Sequence, residues 1–576
     1  MPAPSILTGC LHALARLSAR RPRTLAFLLY VAVAFAFFAV PLLGDPAGDC
    51  VCVGRTHDVY TFTARHDPGI FMWAMTWWPH ALAHGLNPFF THLLFAPDGA
   101  DLAHGQLVPG PALLMSPFTA AFGPVVSYNL IALASPVLAS FCAFLLCLHL
   151  TKRTGPSLIG GYLFGFSTYM LGQMVAHLHL TLVFLVPAIV HLTLLAIEGR
   201  VSQRRYLLGL TAALVGQFLI SPEVFLTFTI FGLATAAIGF VVTGPEERSA
   251  ILRLIPAAAG AYVATAIVVG VYLYYALKPG GVPVLPGLTR AQSNDLLSFA
   301  LPTRISWLGR HLGSLASTYT AGTIEGGAYL GLPILFMVSV FAVSSWRRAT
   351  TKQLVAVFAV TAVASMGPRL HVGGAVTVPL PWRAVSHLPL VGLALPDRLA
   401  VYATLAAAVM SASWLAAPSR TQSSKWLLAS LAVLALAPNL GQGFWHGRLA
   451  VPGFFSSGVH KKYLKPTDSV LIPPIGDAGN DMLWHAKAGL DFRLVGGYVY
   501  PPYGSNPYKR DPLYPALTTL APVPNAATAT RRFLTRNSVT AIVLDPRNSG
   551  RWPATLARLG LTPVRIGGVL FYRVPG

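Results

Sequence analysis

The stretch VVSYNLIALASPVLASFCAFLLCLHLTKR, Val125–Arg153, runs without an acidic or basic charge until it ends on Lys152-Arg153. An apolar run of ~20 residues in a helix crosses the hydrocarbon core of a bilayer. A basic pair at its end marks the cytoplasmic side. Working outward in both directions, the same reading divides the chain into about eleven apolar spans: 24–43, 125–150, 156–176, 180–197, 206–220, 224–242, 254–277, 327–345, 353–366, 399–416 and 426–440. The fold class that follows is an α-helical polytopic membrane protein.

The charges are sorted by side. The short links on one side hold Lys152, Arg153, Arg200, Arg204, Arg205, Arg347, Arg348, Arg420 and Lys425. Of the 19 acids, only Glu198, Glu246 and Glu247 share that side, which leaves 19 − 3 = 16 on the other side or in the tail. The predicted orientation is a cytoplasmic N-terminus, three long extracytoplasmic segments (44–124, 278–326 and 367–396) and an extracytoplasmic C-terminus, in the cell (inner) membrane. The run 24–43 exceeds the 7–15 residues of a secretory apolar region and reads as a retained signal anchor.

Composition agrees. The 576 residues are 54% hydrophobic and 10% charged, with mean hydropathy +0.60, whereas soluble domains carry roughly 25% charged residues. The net charge of +22 is spread over links and span ends, so it reports topology and not a nucleic-acid partner. Of five cysteines, only Cys50 and Cys52 fall in an outer segment. Their spacing is too short for an ordinary loop-closing bridge, and no functional thiol is expected. No acid, Lys or Arg sits near the middle of a span, where coupled transporters carry them. No Walker-type loop and no strand-linked GxGxxG is present.

The predicted domains are 1–440, a transmembrane domain with its first outer loop at 44–124, and 441–576, a small extracytoplasmic α/β domain. In the latter, runs at 469–472, 494–499, 540–544 and 568–574 read as strands, and 480–488, 527–537 and 553–559 as helices.

The first outer segment is the richest in chemistry. It holds Asp45, Asp49, Asp58, Asp67, Asp98 and Asp101 and six histidines. Asp67-Pro68 opens an amphipathic helix to about Ala83, since Asp followed by Pro is a good N-cap and first-turn pair. Trp73, Trp77 and Trp78 suit the membrane–water boundary. Asn87-Pro88 and Pro97-Asp98-Gly99 are turns. His177 and His179 flank a tight outer link; two positions apart, they do not share a helix face, so no chelate follows. Glu223 follows Pro222 at a helix start, where the macrodipole favours an acid. In the tail, Trp484, His485, Tyr498, Tyr500, Tyr503 and Tyr508 form an aromatic-rich stretch that could stack on sugar or pack a core.

The Asp67–Trp78 helix, the Asn87-Pro88 turn, Pro97-Asp98-Gly99 and His177-Leu178-His179 resemble the GT-C superfamily of integral-membrane glycosyltransferases, more narrowly its bacterial YfhO-like members. The layout of a large first outer loop, a helical bundle and a C-terminal outer domain is similar. The resemblance implies transfer of a sugar from a polyprenyl-phosphate donor to a glycan, lipid or protein acceptor on the extracytoplasmic face. An acid of the first outer loop then serves as base or helps hold a divalent cation. By motif position that acid is Asp67, with Asp58 nearby. This chain has His66 where some members carry a second acid before the base. The leaving lipid phosphate needs cations at the outer boundary. Candidates are Arg398, Arg304, Arg310 and Arg383, with Arg369 beside them; Pro396-Asp397-Arg398 looks like an arginine motif common in the family. The alternatives are a transporter or flippase of lipid-linked glycans and a non-catalytic envelope-assembly membrane protein.

Overall fold

All eleven apolar runs carry helix in the computed structural model, which describes residues 21–52, 67–278, 291–388, 390–499 and 506–575. Six helical segments are long and apolar enough to cross a membrane: Pro22–Leu43, Pro124–Thr151, Leu178–Ile197, Pro222–Val242, Pro245–Val268 and Pro396–Ala416. Gly331–Ser345 and Ala349–Ser365 are shorter apolar helices. Asp58, Tyr500 and Tyr503 lie outside the described residues.

The run at 156–176 departs from a single continuous helix. It breaks into Thr154–Gly165 and Thr168–Gln173, because Ser167 leaves helical geometry and caps the second piece, its Oγ accepting from the Met170 N–H at 3.3 Å. A serine that offers its own acceptor competes with the helix ladder at such a point. Packing in this region is closer than a β-carbon allows. A Cβ on Gly161 would meet Tyr30 Oη, and one on Gly165 would meet Ser140 Oγ and the Pro136 carbonyl. Small residues at these contacts let helix backbones approach where no hydrophobic effect drives them together.

The chain divides into two compact units. The first comprises residues 1–41, 132–269 and 284–445 and contains most of the helices. Its links hold two sets of polar contacts. His149, Glu198 and Arg200 meet at one set, with His149 Nε2 2.8 Å from Glu198 Oε1 and Arg200 Nη1 3.2 Å from His149 Nδ1. Residues 173–179, 223, 325 and 395–398 meet at the other.

The second unit comprises 42–131, 270–283 and 446–576. The units therefore cut the chain differently from the split at residue 441, since the first loop shares a unit with the tail. The tail forms a five-stranded sheet of β1 (Ser469–Leu471), β2 (Arg493–Leu494), β3 (Ala541–Leu544), β4 (Val564–Ile566) and β5 (Val569–Arg573), in the order β4-β5-β3-β1-β2. β1 is parallel to both neighbours, and β3-β5-β4 is antiparallel. First-loop main chain continues this edge: Leu494 N–H donates to the Leu93 carbonyl at 2.8 Å, and Phe95 N–H to the Gly496 carbonyl at 3.0 Å. Strand Asp49–Cys50 likewise pairs with Gly447–Arg448. Main-chain groups of a loop buried against a sheet edge are satisfied in this way.

Two expectations change here. The tryptophans of helix Asp67–Ala83 do not face lipid headgroups, because they are buried in protein. Their indole N–H groups donate to His485 Nδ1, the Pro88 carbonyl and the Leu107 carbonyl, at 3.1, 3.0 and 3.0 Å. Cys50 and Cys52 are joined in a disulfide, with Cα atoms 5.2 Å apart. That separation lies within the range a bridge spans, and it is set by the turn that Asn129 holds. Asn129 Oδ1 accepts from the Val51 N–H, and its Nδ2 donates to the Asp49 and Pro46 carbonyls.

Candidate active site

One polar cluster in each unit contains residues expected from the sequence. In the first unit the centre is Arg398. Its Nη1 donates to Glu223 Oε2 and its Nη2 to Glu325 Oε1, both at 2.8 Å. Local sequence explains each placement. Ser221 caps the helix that starts at Pro222, its Oγ accepting from the Val224 N–H at 3.3 Å, which sets Glu223 in the first turn. Glu325 rides on a segment pressed against Thr168–Gln173. A Cβ on Gly172 would strike the Ile324 carbonyl, and Thr168 Oγ1 lies 3.1 and 2.8 Å from the carbonyls of Gly327 and Tyr329. Gln173 Nε2 then donates to Glu325 Oε2 at 2.8 Å, and Gln173 Oε1 faces His177 Nδ1 at 2.9 Å. His177 Nδ1 is also 3.4 Å from Glu325 Oε1.

Asp397 closes the group. Its Oδ1 accepts from the Arg398 N–H at 2.8 Å, while Oδ2 is buried without a hydrogen-bond partner among the described residues. Burial alone would raise the Glu325 carboxyl; the charges of Arg398 and His177 and the bonds from Arg398 and Gln173 outweigh it and hold it near about 2. The ion pairs are buried, with side-chain exposures of 12% for Arg398, 15% for Glu223 and 9% for Glu325. Desolvated pairs of this kind depend on every partner being present.

In the second unit Asp67 starts helix Asp67–Ala83, which packs on helix Asp481–Lys487. A Cβ on Gly69 would lie 3.8 Å from Leu483 Cβ. One turn further on, Trp73 Nε1 donates to His485 Nδ1, and His485 Nε2 donates to the Phe492 carbonyl at 2.8 Å. This pattern requires the neutral ring with its proton on Nε2. Burial keeps it neutral, pushing His485 down to about 4. Asp477, half-buried in the turn before Asp481, is pushed above its ordinary range by burial first and by the charge of Asp67 second. Asp481 is fully buried, and burial pushes it up to about 7 although the N–H groups of Met482, Gly476 and Gly497 pull the other way.

The structure thus brings Arg398, Glu223, Asp397 and His177 together. His179 is buried close enough to feel the charges of Arg398 and His177. Asp67 stands in the other unit. Arg310 and Arg383 are exposed, and Arg369 bonds the Thr377 carbonyl of its own hairpin at 3.0 Å. Arg304 is half-buried, its carbonyl accepting from Asn439. Sequence reading missed Gln173, Glu325, Asp477 and Asp481. The one available signal was Glu325, a lone acid followed by Gly326-Gly327 just before an apolar run. Among the described residues, no three His, Cys, Asp or Glu side chains converge to hold a metal ion.

Residues 55–437 match the family described as Domain of unknown function (DUF6311). The chain belongs to that family. No curated protein sequence matches this DUF6311 chain. Among solved structures it is similar to ArnT from Cupriavidus metallidurans in the apo state, at 13% identity and TM-score 0.51, covering 95% of this chain and 99% of that one. The same enzyme bound to undecaprenyl phosphate gives a TM-score of 0.50 at 13% identity, with the same coverage. Arabinofuranosyltransferase AftD from Mycobacteria gives 0.55 at 15% identity, covering 97% of this chain and 42% of that one. The DUF6311 chain is a multi-pass membrane protein with the fold of the GT-C glycosyltransferases.

Proposed function

We propose that this protein is a membrane glycosyltransferase that moves a sugar from a polyprenyl-phosphate donor to an acceptor on the extracytoplasmic face. Asp67 acts as base, and Arg398 binds the phosphate of the donor. The observation that carries the reading is the placement of Asp67. It is a half-buried carboxylate at the start of a helix fixed on both sides by buried partners, with Asp477 within electrostatic range. Burial and the charge of Asp67 raise the Asp477 carboxyl, and a carboxylate placed within reach of an acceptor hydroxyl can take its proton.

The step balances without a metal. The acceptor oxygen attacks the anomeric carbon as Asp67 takes its proton. The bond from that carbon to the phosphate oxygen breaks, and the lipid phosphate leaves with the bonding pair. It leaves as an anion and needs cationic company, not an acid. Undecaprenyl phosphate bound to ArnT supports the choice of a lipid phosphate. The paired Cys50 and Cys52 support an oxidising side for the first loop.

The test incubates purified protein with a panel of polyprenyl-phosphate sugars and measures released polyprenyl phosphate. Release from at least one donor, dependent on an added acceptor, is expected. No release from any donor by folded protein would sink the assignment.

A further inference from the structure

Arg398 meets an incoming anion with its best donors occupied. Both terminal nitrogens are taken by carboxylates at 2.8 Å, and those carboxylates repel a phosphate. The two clamps are not equivalent. Among the described residues, the other side-chain bond of Glu223 is a long one, from the Leu395 N–H to Oε1 at 3.4 Å. Glu325 keeps a full partner on its far oxygen, Gln173 Nε2 at 2.8 Å, and its near oxygen is 3.4 Å from His177 Nδ1. If Glu325 releases Arg398, its far oxygen stays bonded to Gln173 Nε2, and a protonated His177, whose Nδ1 lies 2.9 Å from Gln173 Oε1, turns to Glu325 and balances its charge. A buried carboxylate is released at tolerable cost only when such a partner is in place.

We propose that Glu325 is a latch on Arg398: it occupies the guanidinium in the empty site and pairs with protonated His177 when the phosphate of a lipid-linked donor takes its place. This rests on the reading of Arg398 as the phosphate ligand. The gap Glu325 must close is about one ångström, from 3.4 Å to a charge-assisted bond of 2.7–2.9 Å. The other groups around the latch are Glu223, Asp397, His179 and Tyr169, all within electrostatic range of Arg398. Of the two histidines, His177 is the one that faces Glu325.

The latch ties donor binding to uptake of one proton. Affinity therefore falls as pH rises through the histidine range, by up to about tenfold per pH unit. The phosphate's own second ionisation, near pH ~6, would give the opposite slope, because a dianion binds a cation better. The sign of the slope separates the two.

The experiment measures binding of a short-chain polyprenyl phosphate to the purified full chain between pH 5.5 and 8.5, with inorganic phosphate as a parallel probe. Affinity for the lipid phosphate that weakens with pH supports the latch; a flat or rising profile overturns it. Glu325→Gln removes the competing charge and is expected to tighten binding at least tenfold and flatten the profile. Equal or weaker binding by folded Glu325→Gln overturns the latch as well. If that variant does not fold, the wild-type profile decides. Wild-type protein that binds no lipid phosphate at any pH overturns the phosphate reading of Arg398 together with the latch. Inorganic phosphate bound as tightly as the lipid assigns the site to a free anion and overturns the donor reading.

Discussion

Trp73 and His485 stand 412 positions apart and share a hydrogen bond of 3.1 Å. The indole belongs to the helix that Asp67 opens, and the imidazole belongs to the tail. The bond fixes the start of that helix against the tail. It also makes the neutral state of His485 a structural requirement, since a protonated ring cannot accept from the indole.

That requirement sets a pH dependence. His485 has a depressed pKa of about 4, so its stabilisation is present above the unfolded value near ~6.5 and is lost as pH falls toward 4. Asp481 is raised to about 7. Its contribution is present below the unfolded value near ~3.9 and is lost as pH rises toward 7. The two oppose each other between about pH 4 and 6.5. Asp481→Asn removes one side of the balance. The variant is expected to lose thermal stability steadily as pH falls from 6.5 to 4, where the wild type changes little. Melting curves over that range check this, and parallel profiles would contradict it.

Asp67→Asn keeps the shape of the side chain but cannot take a proton. Sugar transfer is expected to fall at least a hundredfold, the scale of a lost general base, with the melting temperature unchanged within two degrees or so. Normal activity in that variant would remove Asp67 from the chemistry.

Arg398→Gln leaves Glu223 and Glu325 without their shared cation in a buried setting. Removing one partner of such a group costs roughly 3–5 kcal/mol. The triple variant that also carries Glu223→Gln and Glu325→Gln is expected to recover most of that loss while still failing to bind donor. Chemical unfolding in detergent separates the two effects.

Gly165→Ala places a methyl against Ser140 Oγ and the Pro136 carbonyl, and the carbonyl cannot swing aside. Overpacking of this kind costs roughly 1–3 kcal/mol. Gly232→Ala, with open space around its Cα, serves as control and is expected to be neutral or slightly stabilising. A shared melting temperature for the two variants would refute the close approach.

Leu86 is exposed beside the Asn87-Pro88 turn. A Leu86→Cys variant in intact cells is expected to react with a membrane-impermeant maleimide. Labelling only after lysis would place the first loop in the cytoplasm and reverse the orientation.

Much of the architecture was legible because lipid imposes a simple rule on sequence. Apolar length marks the helices, and Lys and Arg mark the ends on one side, so Val125–Leu150 or Leu399–Ala416 could be read with no partner in view. Tail strands were visible too: 469–472 against Ser469–Leu471, and 540–544 against Ala541–Leu544. The tryptophans of Asp67–Ala83 misled, because an indole looks the same whether it faces a lipid headgroup or a protein carbonyl. The disulfide was missed because the Cys50–Cys52 spacing carries no information about the turn that Asn129 imposes.

Hydrophobic length, a local property of the chain, was enough to determine a helical membrane bundle. Tertiary structure alone decided that Glu325 and Gln173 share one buried network with Arg398, and that His485 meets Trp73. Those pairings join side chains that are far apart in sequence and carry no periodic signal. Their energy comes from desolvation and geometry, which exist only once the backbone has brought them together.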